Sequence, residues 1–127
     1  LVSDSLKDCL EIEKSINDLL NSLGFTYYFK GTIYLKDAIL FAYTERNLLY
    51  DTKALVKKVA KKYKIKNDRI VRSDMDRALN SMLTYINKDK IYNIFGKHYD
   101  GRIISLKYFI DLCIRYLEEQ RYCCLEN

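Results

Sequence analysis

The chain has no proline in 127 residues and only four glycines. Average usage would supply roughly six prolines at this length. Sandwiches and barrels need frequent tight turns, and glycine and proline are the residues that favour them. A chain that spares both runs easily as helix and seldom reverses. The expectation is an all-α fold, about six helices in a single helical domain over residues 1–127, since this length supports one core and not a usual second domain. A hydrophobic fraction of 49% against 31% charged residues is that of a folded globule. No apolar run reaches the roughly 18 to 20 residues of a membrane span, so no membrane partner is expected. The chain opens on Leu1 without a leader pattern, which suggests trimming or processing.

Hydrophobic spacing places the helices. Ser5 and Asp8 stand at capping-box spacing, and Cys9, Ile12, Ile16, Leu19 and Leu23 step by three and four before Gly24. This acidic N-terminal helix (1–24) has five Asp and Glu against two Lys. Phe25 to Thr32 reads as an aromatic link with one strand-like pass and Gly31 as its flexible point. A second helix is predicted from Leu35 to about Tyr50, with Leu35, Ala38, Ile39, Ala42 and Leu49 inward. Asp51 or Thr52 opens a third, with Leu55, Val56, Val59, Ala60 and Tyr63 on one face and Lys57, Lys58, Lys61 and Lys62 on the other. Asn67 or Asp68 caps a long fourth, with Val71, Met75, Ala78, Leu79, Met82 and Ile86 inward. A short fifth runs from Asn87 to Phe95 and stops at Gly96. A turn at His98–Gly101 leads to a sixth, capped by Ser105 and burying Leu106, Phe109, Ile110, Cys113 and Leu117.

Charge is unevenly spread. The net charge is +5, yet residues 51–77 alone hold ten Lys and Arg against four Asp. A basic stretch on an otherwise near-neutral domain is the footprint of a polyanion binder, although a solvated lysine face has the same composition. The third and fourth helices, residues 52–86, have the apolar spacing of a helix-turn-helix, with the small Ala60 at their crossing. Such a motif sets the N-terminal half of its second helix in the major groove. Turning 100° per residue from the buried stripe brings Lys66, Arg69, Ser73, Asp76, Arg77 and Asn80 to the outer face, with Arg72 on its flank. Arg72, Ser73, Asp76 and Arg77 are the candidate base-reading residues. Lys57, Lys58, Lys61, Lys62, Lys66, Arg69 and Asn80 are the candidate phosphate and flanking contacts.

The segment Phe29-Lys30-Gly31 followed by Tyr34-Leu35 and Ala38-Ile39 resembles the signature entering the C-terminal effector domain of stage 0 sporulation protein A, the response regulator of endospore formation in clostridia and bacilli. Ala60-Lys61-Lys62-Tyr63, Val71, Ala78, Asn87, Ile91, Phe95-Gly96 and Phe109-Ile110 continue the likeness over roughly a hundred residues. The resemblance implies a six-helix domain that binds double-stranded DNA through a helix-turn-helix and regulates transcription, often as dimers on tandem sites. Where the family reads bases with Val-Glu-Arg-Ala-Ile-Arg-His, this chain has Val71-Arg72-Ser73-Asp74-Met75-Asp76-Arg77, and Ile70 replaces the family's preceding arginine. The receiver domain that controls the family is not in this sequence, which is either a piece cut from it or a stand-alone paralogue with an acidic helix in its place.

Other chemistries find little support. Cys9, Cys113, Cys123 and Cys124 show no CxxC spacing and have only His98 as a further soft ligand, so no metal, no cofactor and no disulfide framework is expected, and reduced thiols fit a cytoplasmic protein. His98 has no nucleophile at a useful spacing, and no glycine-rich phosphate loop exists, so no enzyme activity is expected. The twelve tyrosines are spread over nearly every helix and read as core and rim. Lysine, isoleucine, asparagine and tyrosine are favoured over alanine, as in A/T-rich bacterial genomes. The alternative to a DNA-binding regulator is a protein-interaction module or antagonist that kept the fold and lost its operator, which Asp74 and Asp76 favour by repelling phosphate. The N-terminal helix is expected to offer a second copy or a partner protein its seam.

Overall fold

The computed structural model describes residues 2–126, with side chains described for 10–120. Six α-helices follow in order: α1 (Val2–Leu23), α2 (Lys30–Thr44), α3 (Thr52–Lys62), α4 (Asp68–Tyr85), α5 (Lys88–Phe95) and α6 (Leu106–Glu126). Short 3-10 turns precede α3 (Arg46–Tyr50) and follow α5 (Gly96–His98), and there is no strand among the described residues. The pairing of Ser5 with Asp8, the seam position Cys9, and Cys123 with Cys124 lie outside the residues whose side chains are described.

Local signals set most boundaries. Gly24, at φ 94°, ends α1, and Phe25 N–H closes the end on Leu20 O at 3.0 Å. Asp51, Asn67 and Asn87 each accept a backbone N–H at the start of α3, α4 and α5, and Ser105 Oγ accepts from Tyr108 N–H at 3.2 Å in α6. Gly96 at φ 59° and Gly101 at φ 89° turn the chain between α5 and α6.

The second helix differs from its sequence expectation at both ends. It starts at Lys30, so the expected strand-like pass is instead a turn and the first turn of helix. Thr32 Oγ1 donates to Thr26 O at 2.7 Å and folds the link back over the helix start. At the other end Thr44 Oγ1 donates to the Leu40 and Phe41 carbonyls, and Glu45 turns extended at φ −124°, ψ 94°. Leu49 still reaches the core, but from a separate 3-10 turn. Tyr63, expected inward, is 38% exposed and packs edge-on against Tyr34 at 5.3 Å between ring centroids.

α2 is the central strut, touching α1, α3, α4 and α6. Its Leu35, Ala38, Ile39 and Ala42 are wholly buried, and α1 adds Ile16, Leu19, Leu20 and Leu23 to the same core. The seam of α1 from Ile16 onward is thus used inside its own domain. α4 contributes Val71, Met75, Ala78, Leu79 and Met82, and α6 adds Phe109, Ile110, Cys113 and Leu117. The Cys113 thiol is fully buried, which pushes its pKa well up and leaves it a small hydrophobe.

Gly31 is not the flexible point that the sequence suggested. It is buried in the first turn of α2, and a Cβ there would lie 1.9 Å from the Asp74 carbonyl oxygen of α4. The glycine lets the two backbones touch. That contact fixes how α4 lies across the core.

Candidate nucleic-acid interface

α3 and α4 are joined by the five residues Tyr63–Asn67 and pack against each other. The joint is tightly built. Ile65 N–H donates to Ala60 O at 2.9 Å and Lys64 N–H to Lys61 O at 3.2 Å, with Lys64 left-handed at φ 57°. This is the two-bond end that glycine usually makes, with lysine in its place. It turns the chain at once from the end of α3 into the Asn67 cap of α4.

The outer face of α4 is polar throughout. Val71, Met75, Ala78 and Leu79 face the core, so Arg69, Ser73, Arg77 and Asn80 emerge exposed on the other side, with Lys66 just before the helix. Arg72 and Asp76 lie one turn apart on the flank, and Arg72 Nε donates to Asp76 Oδ2 at 3.2 Å. Both side chains of the pair are close to half exposed. The sequence candidates Arg72, Ser73, Asp76 and Arg77 therefore share one accessible surface, and the structure brings Lys66, Arg69 and Asn80 onto it.

The lysines of α3 divide into two sets. Lys57 and Lys61 are exposed and have no ion pair among the described residues. Lys58 pairs with Glu45 and lies 4.9 Å above the Phe41 ring. Lys62 Nζ meets the buried Asp37 carboxylate at 2.8 Å, and Tyr63 OH donates to the other oxygen of Asp37. Burial first, then the bond to Asp37, holds the Tyr63 phenol far above its ordinary pKa. Two of the four lysines expected on a free face are thus tied, Lys62 to α2 and Lys58 to the residue that follows it. No spacing rule could show this, because Glu45 and Asp37 lie 13 and 25 residues from their partners.

Sequence reasoning also passed over α2 as part of this surface. Where Gly31 touches α4, Tyr28, Phe29 and Lys30 meet Asp74 and Arg77 around a cleft of about 170 Å³. The signal was present in Phe29-Lys30-Gly31, which marks a close helix approach and so brings its neighbours to α4.

Near the end of α6, Glu118 pairs with Arg46 and Glu119 with His98. Among the described residues no helix is long and apolar enough to cross a membrane.

The family model described as the sporulation initiation factor Spo0A C terminal matches residues 16–116. The chain belongs to that family. The matched span runs from Ile16, the first fully buried residue of α1 among the described residues, to Tyr116 in α6, and takes in all of the core cluster but Leu117. The Spo0A C-terminal family is one of DNA-binding effector domains in sporulation and transcription regulation, and not one of enzymes. The exposed face of α3 and α4 is the part of this member whose chemistry suits that task.

Proposed function

We propose that this chain is a sequence-specific double-stranded DNA-binding transcriptional regulator, with α3 and α4 as its helix-turn-helix and with base-reading residues of its own. One observation carries the reading. The outer face of α4 and its flank present Arg72, Ser73, Asp76, Arg77 and Asn80 together, beside the cations Lys57, Lys61, Lys66 and Arg69, which have no ion pair among the described residues. In the major groove a guanidinium can donate as a fork to guanine O6 and N7, and a carboxylate can accept from the N4 amino group of cytosine. Arg72 and Asp76, held together across one helical turn, form a unit that suits a G·C pair. Their neighbours Ser73 and Arg77 complete the reading surface. Lys57, Lys61, Lys66 and Arg69 set the register through phosphates, and Lys58 and Lys62 contribute less because Glu45 and Asp37 already hold them.

Selection from random duplexes, followed by titration of the recovered site, tests this. Neutralising four to six phosphates gives a log–log salt slope of roughly −4 to −5. Lys57→Ala and Lys61→Ala each lower that slope by about one without changing the preferred sequence. Arg72→Ala costs about 1–3 kcal/mol on the recovered site and relaxes choice at one base pair. A flat salt response and no recovered site would favour the second reading, a protein-interaction module or antagonist that kept the fold. Asp74 and Asp76 are the residues that speak for it, since both add negative charge to the face that would meet phosphate. For such a partner, or for a second copy, the outer face of α1 offers Leu10, 59% exposed, beside Glu11, Lys14 and Asp18. Mass in solution before and after removing residues 1–15 checks that surface, and a monomer in both cases excludes it.

A further inference from the structure

The cleft between α2 and α4 borders the reading face assigned above, with Arg77 at its edge. Gly31 brings the start of α2 against the Asp74 carbonyl, and this carries Lys30 and Tyr28 to the side of Arg77. Lys30 and Arg77 are both exposed and have no ion pair among the described residues. Tyr28 is 92% exposed, so its hydroxyl is open to a ligand. The one acid lining the cleft, Asp74, is half-buried, and the phenol pKa of Tyr34 is raised by burial and then by the charge of that carboxylate. Two free cations and a phenolic hydroxyl thus surround a hollow of about 170 Å³ against a single carboxylate.

The position matters as much as the charge. From Arg69 to Arg77 the helix advances eight residues, about 12 Å at 1.5 Å per residue. That is close to the roughly 12 Å width of the major groove. With Lys66 and Arg69 at one wall of the groove, Lys30 and Tyr28, which lie beside Arg77 at the start of α2, come to the opposite wall.

We infer that Lys30 and Tyr28, beside the reading residue Arg77, form a second backbone grip that takes a DNA phosphate in the cleft between α2 and α4. The inference rests on the DNA-binding reading above and extends it to a helix outside the helix-turn-helix. Lys30 supplies the charge, the Tyr28 hydroxyl donates to a phosphate oxygen, and the two strands are held on either side of α4.

The test titrates the full chain against the duplex recovered by selection and against a duplex of arbitrary sequence, over a range of salt. Lys30→Ala is expected to weaken both duplexes by the same factor and to reduce the log–log slope by about one. Tyr28→Phe is expected to weaken both with the slope unchanged, since it removes a donor and no charge. Lys97→Ala, an equal charge loss at an exposed site on another turn, is expected to leave the slope as it was. If Lys30→Ala keeps the parent affinity and slope while Lys61→Ala loses both, the cleft is no grip, and the DNA reading stands. A change in preference at one base pair without a change in slope also overturns the phosphate role. If the parent binds neither duplex, both the inference and the reading beneath it fall.

Discussion

At Gly31 even the smallest side chain has no room. A Cβ would stand 1.9 Å from Asp74 O and 3.0 Å from Ala78 Cβ, and the nearest obstacle is backbone that cannot rotate away. Gly31→Ala is therefore expected to push α2 off α4 and to cost about 1–3 kcal/mol, read as a lower denaturation midpoint. Lys64 is the opposite case. It holds φ 57° in the turn between α3 and α4, where a side chain is strained by about 1–2 kcal/mol. Lys64→Gly should gain about 0.5–1 kcal/mol after the larger chain entropy of glycine is set against it, measured by urea titration. The Ser105 cap was legible in the sequence, and Asp51 and Asn67 were each one of two candidates, because cap and helix are neighbours in the chain. The engagement of Lys58 by Glu45 was not, because only the fold brings them together.

Among the elements, α2 organises the others, and its ends were the part least legible in sequence. Its apolar stripe showed the right inward face, but a stripe does not say where a helix begins. The Thr32–Thr26 and Thr44–Leu40 hydrogen bonds set the ends, and both depend on side chains that fit helix and loop alike. α2 also holds α3 through Asp37, buried beneath Lys62 and Tyr63. The raised Tyr63 pKa has a definite sign. The unfolded phenol ionises near pH 10 and the folded one only well above it, so this contribution is complete below about pH 10 and is lost as pH rises beyond. Denaturation midpoints should fall steeply above pH 10, and Tyr63→Phe should flatten that fall. Equal alkaline loss in both proteins would mean that the α2–α3 link does not run through this hydroxyl.

For the whole molecule, one segment of the chain carries the whole of the positive excess. Residues 51–77 make one compact basic region on a domain that is otherwise close to neutral. A polyanion that binds only the folded chain stabilises it by mass action, by about 2.7 kcal/mol at a hundredfold excess over Kd. Scanning calorimetry with excess duplex should therefore show a melting point several degrees higher at low salt, with the gain disappearing as salt is raised. The fold class and the polar face of α4 were legible in the sequence, because helical period and local charge need no tertiary information. The close approach of α2, and with it Lys30 and Tyr28, needed the packing.

The Arg72–Asp76 pair has a consequence in time as well as in affinity. With its arginine already partnered, this flank of α4 meets an arbitrary stretch of DNA with little net attraction. On the proposed reading, contact with random sequence is then brief, and the protein samples more sites in the same interval before it stops at a pair both groups can read. On the DNA reading, Asp76→Asn should lengthen dwell on random duplex, seen as a slower off-rate, and slow the search for the preferred site among a large excess of competitor. A carboxylate that looks like a defect in a DNA-binding surface is, in this light, what keeps the domain moving.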